Sequence, residues 1–97
     1  MAQVVYSPSA LADLDTRLRF LASESESAAL DALRVIQSAI ATLEDHPLIG
    51  RPVGRDLREL VISFGHTGYI ALYRFLPARN LVRILGLRHQ RELDRES

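Results

Sequence analysis

The chain has 97 residues, 47% hydrophobic and 25% charged, which is enough for one folded domain and excludes two. It has no cysteine, so disulfides and thiolate metal sites are excluded, and its equal count of basic and acidic residues excludes wholesale binding of phosphate backbones. The N-terminus "MAQVVYSPSA" lacks the basic start and long apolar stretch of a signal peptide, and no apolar run could span a bilayer. A cytoplasmic protein without membrane association is the expectation.

The neutral total conceals an asymmetry. Residues 1–50 hold three arginines against seven acids, residues 51–97 nine against five. Every basic residue is Arg, so any anion recognised here is gripped by guanidinium forks, and no lysine can serve as a base.

In chain order, "QVVY" (Gln3–Tyr6) predicts a short strand. Ser7 then reads as an N-cap and Pro8 as the first helical residue. Leu11, Leu14, Leu18 and Leu21 predict one apolar stripe, with Asp13 and Asp15 in the early turns where the helix dipole favours negative charge. "SESES" (Ser23–Ser27) breaks the pattern and supplies new caps. A second helix is expected from about Ser27 to Asp45, with Ala29, Leu33, Ile36, Ile40 and Leu43 on one face, closing an antiparallel helical hairpin. His46–Asp56, punctuated by Pro47, Gly50, Pro52 and Gly54, predicts one long loop.

The period then changes from 3.6 to 2. Leu57–Phe64, Tyr69–Leu76 and Leu81–Arg88 predict three strands joined by hairpin turns at "GHTG" and "PARN". The order β-α-α-β-β-β implies a two-layer α+β sandwich, an antiparallel meander packed on the helical hairpin. Strict alternation puts Tyr69, Ala71, Tyr73 and Phe75 toward the helices, and Ile70, Leu72 and Arg74 away from them. On the last strand it puts Val82, Ile84, Gly86 and Arg88 inward, leaving Arg83, Leu85, Leu87 and His89 outward. An apolar outward face with arginines around it calls for a cover, either the C-terminal residues or a partner protein.

The segments "VVYSPSALADLD", "HPLIGRPV", "LRELVI", "GYIALYRF" and "VRILGLRHQRE" follow one another as in the RelE/ParE superfamily of toxins, which the chain resembles over about residues 4–92. That superfamily supplies the toxins of bacterial type II toxin–antitoxin modules, known also as plasmid stabilization systems. The resemblance implies a small antiparallel sheet packed on a helical hairpin, and a cognate antitoxin whose extended tail wraps the toxin. The antitoxin would repress the shared operon, so this chain would reach DNA only indirectly. It also implies one of two targets. RelE-like members cleave messenger RNA on the ribosome by acid–base chemistry, whereas ParE-like members inhibit DNA gyrase.

The ribonuclease branch usually carries lysines on the strand equivalent to Leu57–Phe64 and an arginine just after the glycine–aromatic pair of the next strand. Here Val61, Ser63 and Ile70 stand in those regions. Only His89 and Arg91 match the family's last cluster, and they are the catalytic candidates if the chain is a ribonuclease. The ParE-like branch, a gyrase-binding toxin, is the favoured reading. The expected partner surface is then Arg74, Ile70, Leu72, Arg83, Leu85, Leu87, His89 and Arg91, with residues 91–97 as a tail that is disordered or ordered by the antitoxin.

Other side chains have plainer readings. Arg74 is expected to pair either with an antitoxin carboxylate or internally with Glu59. Arg51 and Arg58 are expected to anchor the long loop through backbone carbonyls, His46 to cap the second helix, and His66 to sit in an exposed turn. Tyr69 and Tyr73, on one strand face, read as core rather than as base-stacking platforms. The three histidines have no metal-ligand spacing, so neither metal nor cofactor is expected.

Overall fold

The computed structural model describes residues 1–90; Arg91 and the expected tail at 91–97 lie outside them. The elements are β1 (Gln3–Tyr6), α1 (Pro8–Glu24), α2 (Glu26–Ala41), a 3₁₀ turn (Thr42–Glu44), β2 (Arg51–Gly54), β3 (Leu57–Phe64), β4 (Thr67–Leu76) and β5 (Leu81–His89). They form one five-stranded sheet in the order β1-β5-β4-β3-β2, with β1 parallel to β5 and the other pairs antiparallel. The helices cover one face, the α+β arrangement expected.

Two serines set the helical layer. The Ser7 hydroxyl accepts the Ala10 N–H at 3.1 Å and Pro8 opens α1. Ser25 ends α1 by donating its N–H to the Leu21 carbonyl, and its hydroxyl accepts the Ala28 N–H to start α2. One residue therefore joins the two helices, satisfying orphan groups at both ends. The helix thus starts at Glu26 and ends at Ala41, where the chain tightens into the 3₁₀ turn. The His46 backbone N–H, rather than its ring, completes that end by donating to the Thr42 carbonyl.

Ala32, Ile36, Ile40 and Leu43 meet Ile62, Tyr69, Ala71, Tyr73, Val82, Ile84 and Leu87 in the core. From α1 the inward set is Ala10, Leu14 and Leu21; Leu11 is 54% exposed. The predicted leucine stripe fails at Leu11 because small Ala10, about 100° round the helix, is the residue pressed against the sheet.

The expected long loop contains a strand. β2 lies at the edge, pairing Arg51 with Glu59 and Pro52 with Arg58. Pro52 and two glycines hid it in the sequence, and an edge is where a strand tolerates proline. The chain before β2 is held as anticipated by Arg58, which donates to the carbonyls of Leu48 and Gly50. Tyr73 adds a second anchor: its hydroxyl accepts the Gly50 N–H at 2.8 Å inside the core. The β3–β4 hairpin turns on Gly65 and His66, with Gly65 at φ 63°, the pattern of a type II′ turn, and His66 exposed.

The phase of β5 differs from strict alternation. Tyr73 pairs with Ile84 but Leu72 pairs with Gly86, so Leu85 is an extra, bulged residue. Beyond the bulge the faces exchange. Leu87, opposite Ala71, is buried in the core, His89 lies opposite Tyr69 on the helical side, and Arg88, opposite Ile70, faces out. The outward placement of Leu87 and His89, and the inward one of Arg88, are thereby corrected.

The bulge sits where β5 outruns β1 and its edge groups need other partners. α1 provides them. The Ser7 N–H donates to the Ile84 carbonyl, the Ser7 hydroxyl to the Leu85 carbonyl, and the Asp13 carboxylate accepts the Leu87 N–H at 2.9 Å. Asp13 therefore acts as a cap on a strand edge, beyond the dipole role expected of it.

Candidate partner-binding face of the sheet

The strand register arranges the face away from the helices in rows. One row runs Leu57, Arg74, Arg83 and Val5 across β3, β4, β5 and β1. The next holds Arg51, Glu59 and Leu72, with Gly86 opposite Leu72. A third holds Val61, Ile70 and Arg88, and Ser63 lies beyond it. Of the expected partner residues, Arg74, Ile70, Leu72 and Arg83 share this face. Leu85 is the unpaired bulge residue, and Leu87 and His89 belong to the helical side. Val61 is 53% exposed, whereas Ile70 is 5% exposed despite facing away from the helices.

Glu59 organises the middle of the face. It is 8% exposed and is held on both oxygens: Arg51 Nη2 donates to Oε1 at 2.6 Å, and Arg88 Nη2 approaches Oε2 at 3.4 Å. Both guanidinium groups keep much of their hydration, so they share the one carboxylate without a full desolvation penalty. The internal partner considered for Arg74 is thus engaged elsewhere. Counting back from the Gly65–His66 turn shows why: Leu57, not Glu59, falls opposite Arg74. Arg51 correspondingly leaves the loop carbonyls to Arg58.

Arg74 and Arg83 stand directly opposite one another on β4 and β5. Neither has an ion-pair partner among the described residues. Arg74 Nε is buried and has no hydrogen-bond partner among them.

His89 sits in different company. Its Nε2 lies 3.0 Å from Thr67 Oγ1, and its ring meets Tyr69 edge-on at 5.4 Å between centroids. Tyr69 in turn packs on Phe64. Burial pushes the Tyr69 hydroxyl above its ordinary pKa, and the charge of Arg17 pulls it back. Tyr73 is raised by burial against the opposing Gly50 N–H and Arg58 charge, and Tyr6 by burial alone. Tyr69 and Tyr73 are core residues, as their alternation implied. His89 therefore shares no surface with Arg74, Arg83 or Arg88, and the sheet's outer face carries no histidine. Among the described residues no group of three His, Asp or Glu side chains could hold a metal ion, and no helix is long and apolar enough to cross a membrane.

Residues 4–94 match the family described as the ParE toxin of the type II toxin–antitoxin system parDE. The chain belongs to the ParE toxin family. This RelE/ParE-superfamily toxin is 37% identical over 92 residues to Toxin RelE3 of Caulobacter vibrioides, covering 95% of this chain and 98% of that one. Its fold is similar to that of the chromosomal ParDE system of P. aeruginosa, with a TM-score of 0.74 at 22% identity, over 92% of this chain and 96% of the other. The toxin–antitoxin complex RelBE2 of Mycobacterium tuberculosis is similar at a TM-score of 0.57 and 28% identity, over 91% and 96%. The E. coli RelBE complex follows at 0.59 and 15%, over 91% and 95%.

Proposed function

We propose that this ParE-family toxin arrests growth by binding a protein target, DNA gyrase, rather than by cutting RNA. We propose also that a cognate antitoxin neutralises it by covering the outer face of the sheet. The observation that carries the first part is the chemistry of that face. A ribonuclease needs a convergent set of cations to stabilise a dianionic transition state, and where the resemblance places those of the ribonuclease branch this face presents Val61, Ser63 and Ile70. Glu59, at its centre, offsets one of the two charges of Arg51 and Arg88. His89, the remaining acid–base candidate, is turned toward the helices and Tyr69. The antitoxin reading is supported by structural relatives that are themselves toxin–antitoxin complexes, and by the apolar, arginine-bearing surface around Leu72 and Arg74.

The test is induction of the toxin alone, followed by two assays on the purified chain. Growth arrest, blocked gyrase supercoiling and intact messenger on translating ribosomes are expected. Discrete cuts in translated messenger, lost in His89→Ala or Arg91→Ala, would instead establish the ribosome-dependent endoribonuclease. Normal growth on induction would refute both activities.

A further inference from the structure

We infer that Arg74 and Arg83 form a two-pronged carboxylate site that takes one acidic side chain of the antitoxin, flanked by apolar neighbours. This rests on the antitoxin reading above and adds the recognition chemistry to it. Three observations converge. The two arginines are directly opposite on adjacent antiparallel strands, a like-charge pairing that destabilises a sheet. The buried Arg74 Nε has no acceptor among the described residues, and a buried N–H without one is a further cost to the free chain. Glu59, the acid on this face among the described residues, is held by Arg51 and Arg88. Among the described residues the toxin thus carries two adjacent guanidinium groups without a carboxylate, a strained arrangement that a bridging carboxylate resolves with charge-assisted, fork-shaped hydrogen bonds.

The surroundings choose the kind of anion. Leu57 and Val5 end the arginine row, Leu72 lies on one side of Arg74 and Leu76, paired with Leu81, on the other. A nucleic-acid backbone is a line of charges and needs a line of cations; here the neighbouring arginines, Arg51 and Arg88, are tied to Glu59. One positive spot inside an aliphatic frame suits a single Asp or Glu set among apolar residues of a peptide.

The inference predicts opposite signs for binding and stability. The probes are the protein encoded by the reading frame adjacent to the toxin's and a single-stranded RNA 20-mer, titrated calorimetrically into the full-length chain. Arg83→Gln and Arg74→Met should each weaken binding of the adjacent-frame protein about thirtyfold or more. Arg83→Gln should at the same time raise the melting temperature of the free chain by about 1–6 °C, because it removes the like-charge contact. Arg83→Glu should raise it too, by pairing with Arg74, and should weaken binding further. Unchanged affinity in the variants would overturn the arginine site while leaving the antitoxin reading intact. Weaker binding accompanied by a lower melting temperature would reduce both arginines to structural parts. RNA affinity that falls in the variants while protein affinity holds would reassign the site to nucleic acid. A wild-type chain that does not bind the adjacent-frame protein would overturn the antitoxin reading and this site together.

Discussion

Replacing Asp13 with alanine tests the claim that α1 caps the open edge of β5. The carboxylate accepts the Leu87 N–H at 2.9 Å just past the bulge, in a partly buried setting. A hydrogen bond to a charged acceptor contributes about 1.5–3 kcal/mol, and the abandoned N–H regains only part of that from water. Asp13 lies beyond the first turn of α1, where the dipole contribution has faded, so the hydrogen bond dominates. A loss of about 2 kcal/mol in a domain this size lowers the melting temperature by about 8–16 °C. Asp13→Asn keeps an acceptor and should lose about half as much. Calorimetric melting gives the totals, and amide hydrogen exchange gives the location: Leu87 should lose protection while Ile36 and Tyr73 keep theirs relative to the new global stability. An alanine variant melting within about 2 °C of wild type, with the Leu87 amide as protected as before, would refute the reasoning.

Tyr73→Phe leaves the buried Gly50 N–H without its acceptor and should destabilise the chain by about 1–2 kcal/mol in urea unfolding. Gly50→Ala should do worse, at least about 2 kcal/mol, because its Cβ would lie 2.5 Å from Tyr73 Oη and 2.9 Å from the Glu59 carbonyl oxygen, which cannot yield; wild-type-like unfolding would contradict that packing. Alkaline stability follows from the tyrosines. All three have folded pKa values above the ordinary 10.0, so folding favours the neutral phenols. Their contribution is full below about pH 10 and is lost as pH rises through the folded values. Without lysine or cysteine to titrate there, melting temperature should fall across that window alongside tyrosinate absorbance; a flat profile would contradict the burial argument.

Sequence made the fold legible wherever one periodicity ruled. β1 and β3 have the predicted bounds, and Ser7 and Ser25 cap the helices because hydroxyls beside orphan N–H groups have little else to do. β2 stayed hidden because its proline and glycines read as loop and all four residues are exposed, leaving no inward face to detect. Half of the candidate surface was legible. Arg74, Ile70, Leu72 and Arg83 precede the bulge or lie outside β5, so alternation places them correctly. Leu87 and His89 follow it, and a single unpaired residue reversed them. Glu59 as the neutralising hub needed the register, since only strand pairing brings Arg51 and Arg88 to one carboxylate.

The bulge at Leu85 has the character of a one-residue frame shift written in space rather than in code. Everything after it in β5 is read on the side opposite to strict alternation, so regular pairing of the same residues would exchange two chemistries at once. Were Leu85 paired with Leu72 in a regular ladder, Leu87 and His89 would turn to the partner face and Arg88 would be driven into the helical layer beside Tyr69. Gaining or losing the bulge without changing a residue would therefore change what the last strand displays. The imidazole and guanidinium groups need not be replaced, only turned over.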